Sequence, residues 1–255
     1  MAGAAITRVR QIEAALAKLA TQEGPPQSVS VSGPPWNMPE HDPRLQRKER
    51  SEAILALHGV PFVEHMPPIE GKDEALVRPV EAVHARAALL YVSSLLARGN
   101  TQHRWDALEQ LGKLGALDLV SAEERELLEG AREPSDQERA DAWWQLDAAA
   151  TLLWALGAEV ELGFPTDGLT LAAVAPLMPS PTELAQVYPE LRPVDELLDQ
   201  TDLTYRLHWA SKPNLDGSPR CAWLSHSALM ERHKALNWLV GYRGYATWDE
   251  VTTDT

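Results

Sequence analysis

The sequence has a single cysteine, Cys221, so it can form no internal disulfide and no thiolate metal cluster. That suits a reducing compartment. Phenylalanine is scarce as well, with two residues against nine Trp and five Tyr. Tryptophan combines a large contact area with one N–H that needs a partner, which puts many of these rings at the margin of a core. No stretch approaches the roughly 20 apolar residues of a membrane span. The best, AAATLLWALGA at 148–158, ends at Glu159. Arg8, Arg10 and Glu13 interrupt any export-type apolar run near the start. The expectation is a cytoplasmic protein that does not contact membrane.

The common catalytic signatures are missing too. There is no Gly-x-Ser-x-Gly, no His-Glu-x-x-His, no phosphate loop and no dinucleotide fingerprint, so no cofactor is expected and the reading leans away from an enzyme. Cys221 stands five residues before His226, but nothing around it promises an electropositive niche, and a structural thiol is expected. Glu81 and His84 have the Glu-x-x-His spacing of di-iron bundles. No second copy exists, and Leu198 stands at the matching place of the other long helix. No metal is expected.

What is present is charge and helical periodicity. The formal net charge is −14, and residues 1–60 carry seven Lys/Arg and six Asp/Glu, which leaves −15 for the rest. An acidic body repels phosphate backbones, so nucleic acid is disfavoured and a basic protein partner is the complementary choice. Solubility explains the same charge.

Val9, Ile12, Leu16 and Leu19 predict an amphipathic helix over 4–22, followed at 23–43 by an arm with six prolines. Only VSVSG (29–33) hints at a strand. Asp42-Pro43 starts a helix that stops near Gly59, and a helix is predicted from Pro79 to Arg98 with Gly99 beyond it. Thr101 opens the next, and Ser121 with Glu124 and Ser135 with Glu138 are capping boxes. Later helices start at Ser180-Pro181, at Pro193 and at Ser225, the last two running to about Ala210 and Gly241. The predicted fold is all-α: a single multi-helix, bundle-like domain at 44–255 behind the helix and arm of 1–43. RPVE (78–81) and RPVD (192–195) each open a long helix, with Leu89/Leu203 and Tyr91/Tyr205 at the same offset of 114. Two related halves would produce this echo, but shared helix-start chemistry is the favoured explanation, because nothing else aligns at that offset.

The motifs LLWALG (152–157), DELLDQTDLTYRLHWA (195–210), NLDG (214–217), MERHKALNWL (230–239) and WDEVTTDT (248–255) stand in an order that resembles domain-of-unknown-function family 4272 over residues 44–255. The helix start at Arg78 and Glu81 and the ARAALLYV at 85–92 are similar to that family's first half. Pro79 and Pro193 depart from it, standing where a small capping residue is expected, and residues 1–43 have no counterpart. The resemblance implies a helical intracellular protein of bacterial type and assigns no activity.

The candidate polar cluster comprises Arg78, Glu81, Asp199, Asp202, Arg206, His208, Glu231, His233 and Asn237. Asp195, Asp199, Asp202 and Arg206 share one helix stripe beside Val194, Leu198, Thr201 and Tyr205. Three carboxylates there offer a cation site or a general base; a charged border with an Asp202–Arg206 ion pair is the plainer account. His208 near its helix end gains from the dipole when protonated. Through and around ERHKALNWL (231–239), Met230, His233, Leu236 or Asn237, and Val240 follow one face, and His233 and Asn237 lie near the apolar stripe. Arg232 and Lys234 are expected to meet water, and Glu231 and Lys234 are spaced to pair on the surface. If the two helices cross, His233, Asn237, Asp199, Asp202 and Arg206 form one buried network, either a site or a packing lock. Two functions remain open: an acidic protein-binding module, of the kind that immunity proteins exemplify, and a small-ligand or catalytic pocket between the long helices. The oligomeric state is not legible.

Overall fold

Local signals in the chain set where its helices begin. Asp42 accepts from the Arg44 backbone N–H at 2.8 Å and Pro43 occupies the first turn of α1, Pro43–Leu57. Both predicted capping boxes form, at Ser121 for α4 (Ala122–Glu129) and at Ser135 for α5 (Asp136–Ala155). The structure, a computed structural model, describes residues 41–98, 104–113, 115–180 and 183–255, all within the unit Met38–Thr255. The predicted helix at 4–22, the arm up to 40, the VSVSG stretch, Gly99 and Thr101 lie outside the described residues.

Between these helices run α2 (Val80–Ala97), α3 (Arg104–Lys113) and a 3-10 turn, Ala116–Leu119. After α5 come the short α6 (Leu171–Val174) and α7 (Leu184–Val187), then α8 (Val194–Ser211) and α9 (His226–Val240). Among the described residues there is no strand, and the domain is all-α as the sequence predicts.

The packing runs in layers. α2 lies on α5, α5 on α9, α9 on α8, and α8 on α1. α5 and α9 are therefore inner helices covered on two sides. The run Leu146–Leu153 is buried without a break, and so is Ala235–Val240. Neither helix has the wide polar face that a surface helix keeps. A smaller apolar cluster of Leu55, Val60, Leu207, Leu224 and Leu229 joins α1 to α8 and α9.

The RPV echo has a spatial counterpart that the shared-start explanation does not cover. Arg78, at the head of α2, donates from its backbone N to Leu239 O at 2.9 Å and from Nε to Trp238 O at 3.0 Å. Its guanidinium lies 5.4 Å from the Trp238 ring centroid. Arg192, at the head of α8, repeats this on α5: backbone N to Ala155 O at 2.8 Å, Nε to Trp154 O at 2.7 Å, guanidinium 5.0 Å from the Trp154 centroid. Both gripped helices finish in Trp-x-x-Gly, with Gly157 at φ +98° and Gly241 at φ +71°. Each arginine satisfies carbonyls that a helix end leaves open and sits at the negative pole of the dipole. Each half of the chain thus caps the inner helix of the other.

Candidate functional site

The carboxylate stripe of α8 is fully paired, with partners from α1, the loop before α2 and α8 itself. Lys72 Nζ lies 3.0 Å from Asp195, while Arg47 Nε and Arg50 Nη2 reach Asp199 at 3.1 and 2.7 Å. Asp202 takes a two-pronged contact from Arg206, at 2.9 Å to each oxygen, with both side chains fully buried. Arg206 also donates to Pro67 O at 3.3 Å and approaches Glu52, itself 2.7 Å from Lys48. The stripe is a seam between helices, since the basic run of α1 neutralises it where it would otherwise gather a cation. Asp202 and Arg206 are interior residues and not the charged border that the spacing suggests.

The rest of the candidate cluster divides by helix face. Arg78 is spent on the end of α9, and it also donates to Tyr245 O. Glu81 is exposed, whereas buried His84 places Nε2 2.8 Å from Tyr188 O, so the two do not act as a pair. Among the described residues, no three His, Cys, Asp or Glu side chains are grouped to hold a metal. Cys221 is buried, and desolvation raises its thiol.

Glu231 turns toward α5, near Asp141 and Asp147, where burial raises its carboxyl to about 7 against the pull of Lys234. Met230 is half-exposed, and Arg232, placed in water by the helical wheel, is buried. Arg232 binds Asp147 Oδ1 from Nε and Nη2 at 2.9 and 2.8 Å and donates to Leu162 O at 2.6 Å. Asp147 Oδ2 accepts from Leu169 N at 2.9 Å, which completes the pair. The wheel fails because α9 has a helix on either side, so its α5-facing arginine is as covered as its α8-facing histidine.

Three of the predicted residues do come together between α8 and α9. His208 and His233 are both buried, and their Nδ1 atoms lie 3.0 Å apart. One must donate and the other accept, so the two rings cannot both be protonated. Desolvation, then the neighbouring His233, pushes His208 down to about 2; desolvation, then Lys212, pushes His233 down to about 3. His226 stacks near His208 at 5.0 Å between centroids, and its Nδ1 lies 3.0 Å from Ser211 Oγ, a hydroxyl that donates to His208 O. Asn237 donates from Nδ2 to Thr252 O at 2.9 Å. His233 and Asn237 therefore share a region, from which Asp199, Asp202 and Arg206 are separate.

That region opens into a cleft of about 350 Å³. Thr201 and Tyr205 of α8 and His233 and Asn237 of α9 line it with loop residues Pro67–Glu70 and Glu74. Arg44 of α1, Tyr242 and Arg243 of the turn after α9, and Asp254 complete the lining. His233 uses Nδ1 backward on His208, so its opposite edge is the one presented to the cleft, and no described residue bonds its Nε2. Arg243, at φ +54°, is the one non-glycine with positive φ among the described residues. Asp254 holds it at 2.9 Å, with its guanidinium 5.1 Å from the Tyr242 ring. Strain of this kind collects where a backbone is held for a purpose. Arg44, Glu70, Tyr242 and Arg243 carry no signal in the sequence, since the cleft is assembled from five separate segments, and Tyr205 shows there only as part of an apolar stripe.

The described residues form an all-helical domain with a polar cleft beside a buried histidine pair. By its sequence it belongs to the family described as a domain of unknown function, DUF4272, whose model matches residues 47–251. No curated protein and no solved structure matches the chain significantly. Among the described residues, no helix is long and apolar enough to cross a membrane.

Proposed function

We propose that this domain is a binding module for a small polar group, taken up in the cleft between α8, α9 and the loop before α2. The single observation that carries the reading is His233. It is 3 % exposed, its ring is fixed from behind by His208, and its free edge meets the cleft. A ring locked from behind and open to a cleft on its other edge offers a ligand a preset hydrogen-bonding contact. The volume falls within the range of small-molecule sites. Magnitude decides between binding and proton transfer. A base near pKa 3 is far from the operating pH at which general catalysis is efficient, so His233 serves as a neutral, fixed hydrogen-bonding contact.

The test is a mixed-charge fragment screen on the full-length chain, read from the ¹⁵N signals of the His233 ring. Saturable fragments that compete with one another and move Nε2 are expected. A library that moves other residues but never His233 would overturn the reading. A protein-binding role is the second reading, favoured by the −15 charge of residues 61–255. It expects a basic partner to co-purify at low salt and to be released as salt rises past the Debye-screening range.

A further inference from the structure

The balance of charge in the cleft says what kind of group it takes. Arg44 is already held by Asp42 at 2.8 Å and by Glu74 at 3.1 Å, and Arg243 is held by Asp254 at 2.9 Å. The Glu70 carboxylate has no partner among the described residues. An incoming anion would have to displace a carboxylate from an arginine and then sit near Glu70. An incoming cation breaks no ion pair and gains Glu70 directly. Tyr205 and Tyr242 line the same cleft, and each ring already draws a guanidinium, Arg206 at 5.8 Å and Arg243 at 5.1 Å from the centroid, as ring faces attract cations. His233 at the floor is neutral and repels neither sign. The whole chain, at −14, adds a field of the same sense.

We infer that the cleft binds an organic cation, a primary ammonium or guanidinium group, seated between Glu70 and the rings of Tyr205 and Tyr242 with His233 beneath it. The inference rests on the reading of the cleft as a binding site and names its ligand chemistry. Such a group has two sources: a free amine or guanidine, or the lysine or arginine side chain of a basic protein.

The probes are n-butylamine, n-propylguanidine and, as the matched anion, butyrate, each titrated into the full-length chain while the His233 ring signals are followed. A saturable shift with the amine or the guanidine, and none with butyrate, is expected. Glu70→Gln, a partly exposed position where folding is not at stake, should weaken cation binding roughly ten-fold. Raising the salt from low to physiological should weaken it severalfold. Saturation by butyrate, or cation affinity unchanged in Glu70→Gln, overturns the cation inference and leaves the cleft reading standing. Silence from all three probes, with no fragment of any charge moving His233, overturns both. The acetyl-Gly-Lys-Gly and acetyl-Gly-Arg-Gly amides then separate the sources. Binding equal to or tighter than that of the free cations supports a partner's side chain, and exclusion of the blocked peptides supports a small molecule.

Discussion

Acidifying this protein should unfold it by way of two residues. In the fold His208 and His233 are held neutral, at about 2 and about 3, whereas in the unfolded chain both return to the ordinary value of 6.5. Between those limits the unfolded state binds protons that the native state refuses, so stability rises with pH and is lost as pH falls below 6.5. Each group costs about 1.4 kcal/mol per pH unit in that window. Going from pH 6.5, where the unfolded groups are half protonated, to pH 5, the pair together removes about 3 kcal/mol, a large share of the roughly 5–15 kcal/mol that holds a domain folded. Glu231 acts in the opposite sense, since a carboxyl raised to about 7 favours the fold as pH falls. It must therefore be cancelled by comparison. The assay is urea unfolding followed by tryptophan fluorescence at several pH values from 7.5 to 5, on the natural chain and on H208Q/H233Q. Two glutamine amides can keep a hydrogen bond across the seam and cannot titrate. The natural chain should lose about 3 kcal/mol more than the variant between pH 6.5 and 5. Parallel curves would show that the pair is hydrated or already charged, and the argument would be refuted.

Three further outcomes follow from the packing. Asp147→Ala strands the buried Arg232 and should cost about 3–5 kcal/mol, with most of that recovered in the double change Asp147→Leu/Arg232→Met; chemical denaturation checks both. Arg78→Met and Arg192→Met each remove a charged cap from an inner helix end and should each cost about 2 kcal/mol, seen as a fall in Tm of about 4–8 °C. Gly241→Ala combines φ +71° with a Cβ placed 2.5 Å from Leu76 O, whereas Gly59→Ala at φ +66° meets nothing within 4 Å. The first should cost about 3 kcal/mol or more and the second about 1 kcal/mol, as thermal melts of the two will show.

The sequence made some of this visible and hid the rest for physical reasons. Helix starts are local events, and Asp42-Pro43, Ser121 with Glu124 and Ser135 with Glu138 each act on their own first turn, so they could be read in isolation. Burial is not local. Arg232 and Asp202 looked like surface residues because a helical wheel assumes one wide wet face, whereas α9 keeps only a narrow one at Ser227, Met230, Glu231 and Lys234 and the α1 side of α8 is covered. His233 and Asn237 were found through their place beside the apolar stripe, and His208 through its place at a helix end. Glu70, Tyr242 and Arg243 gave no signal, because the cleft exists only once five separate segments meet. The basic run of α1, with Arg44, Arg47, Lys48 and Arg50, was the one available hint that the α8 carboxylates had protein partners.

The paired arginine clasps give the chain the logic of two subunits joined into one polypeptide. If the peptide were cut between Gly157 and Arg192, the contacts of Arg192 with Trp154 and of Arg78 with Trp238 would become two copies of one intermolecular contact, exchanged across the α5–α9 crossing. A self-complementary interface of this kind is what a two-fold symmetric dimer uses. The histidine pair does not repeat across that crossing. His208 and His233 both lie in the second half, so the histidine side of the cleft has no counterpart in the first.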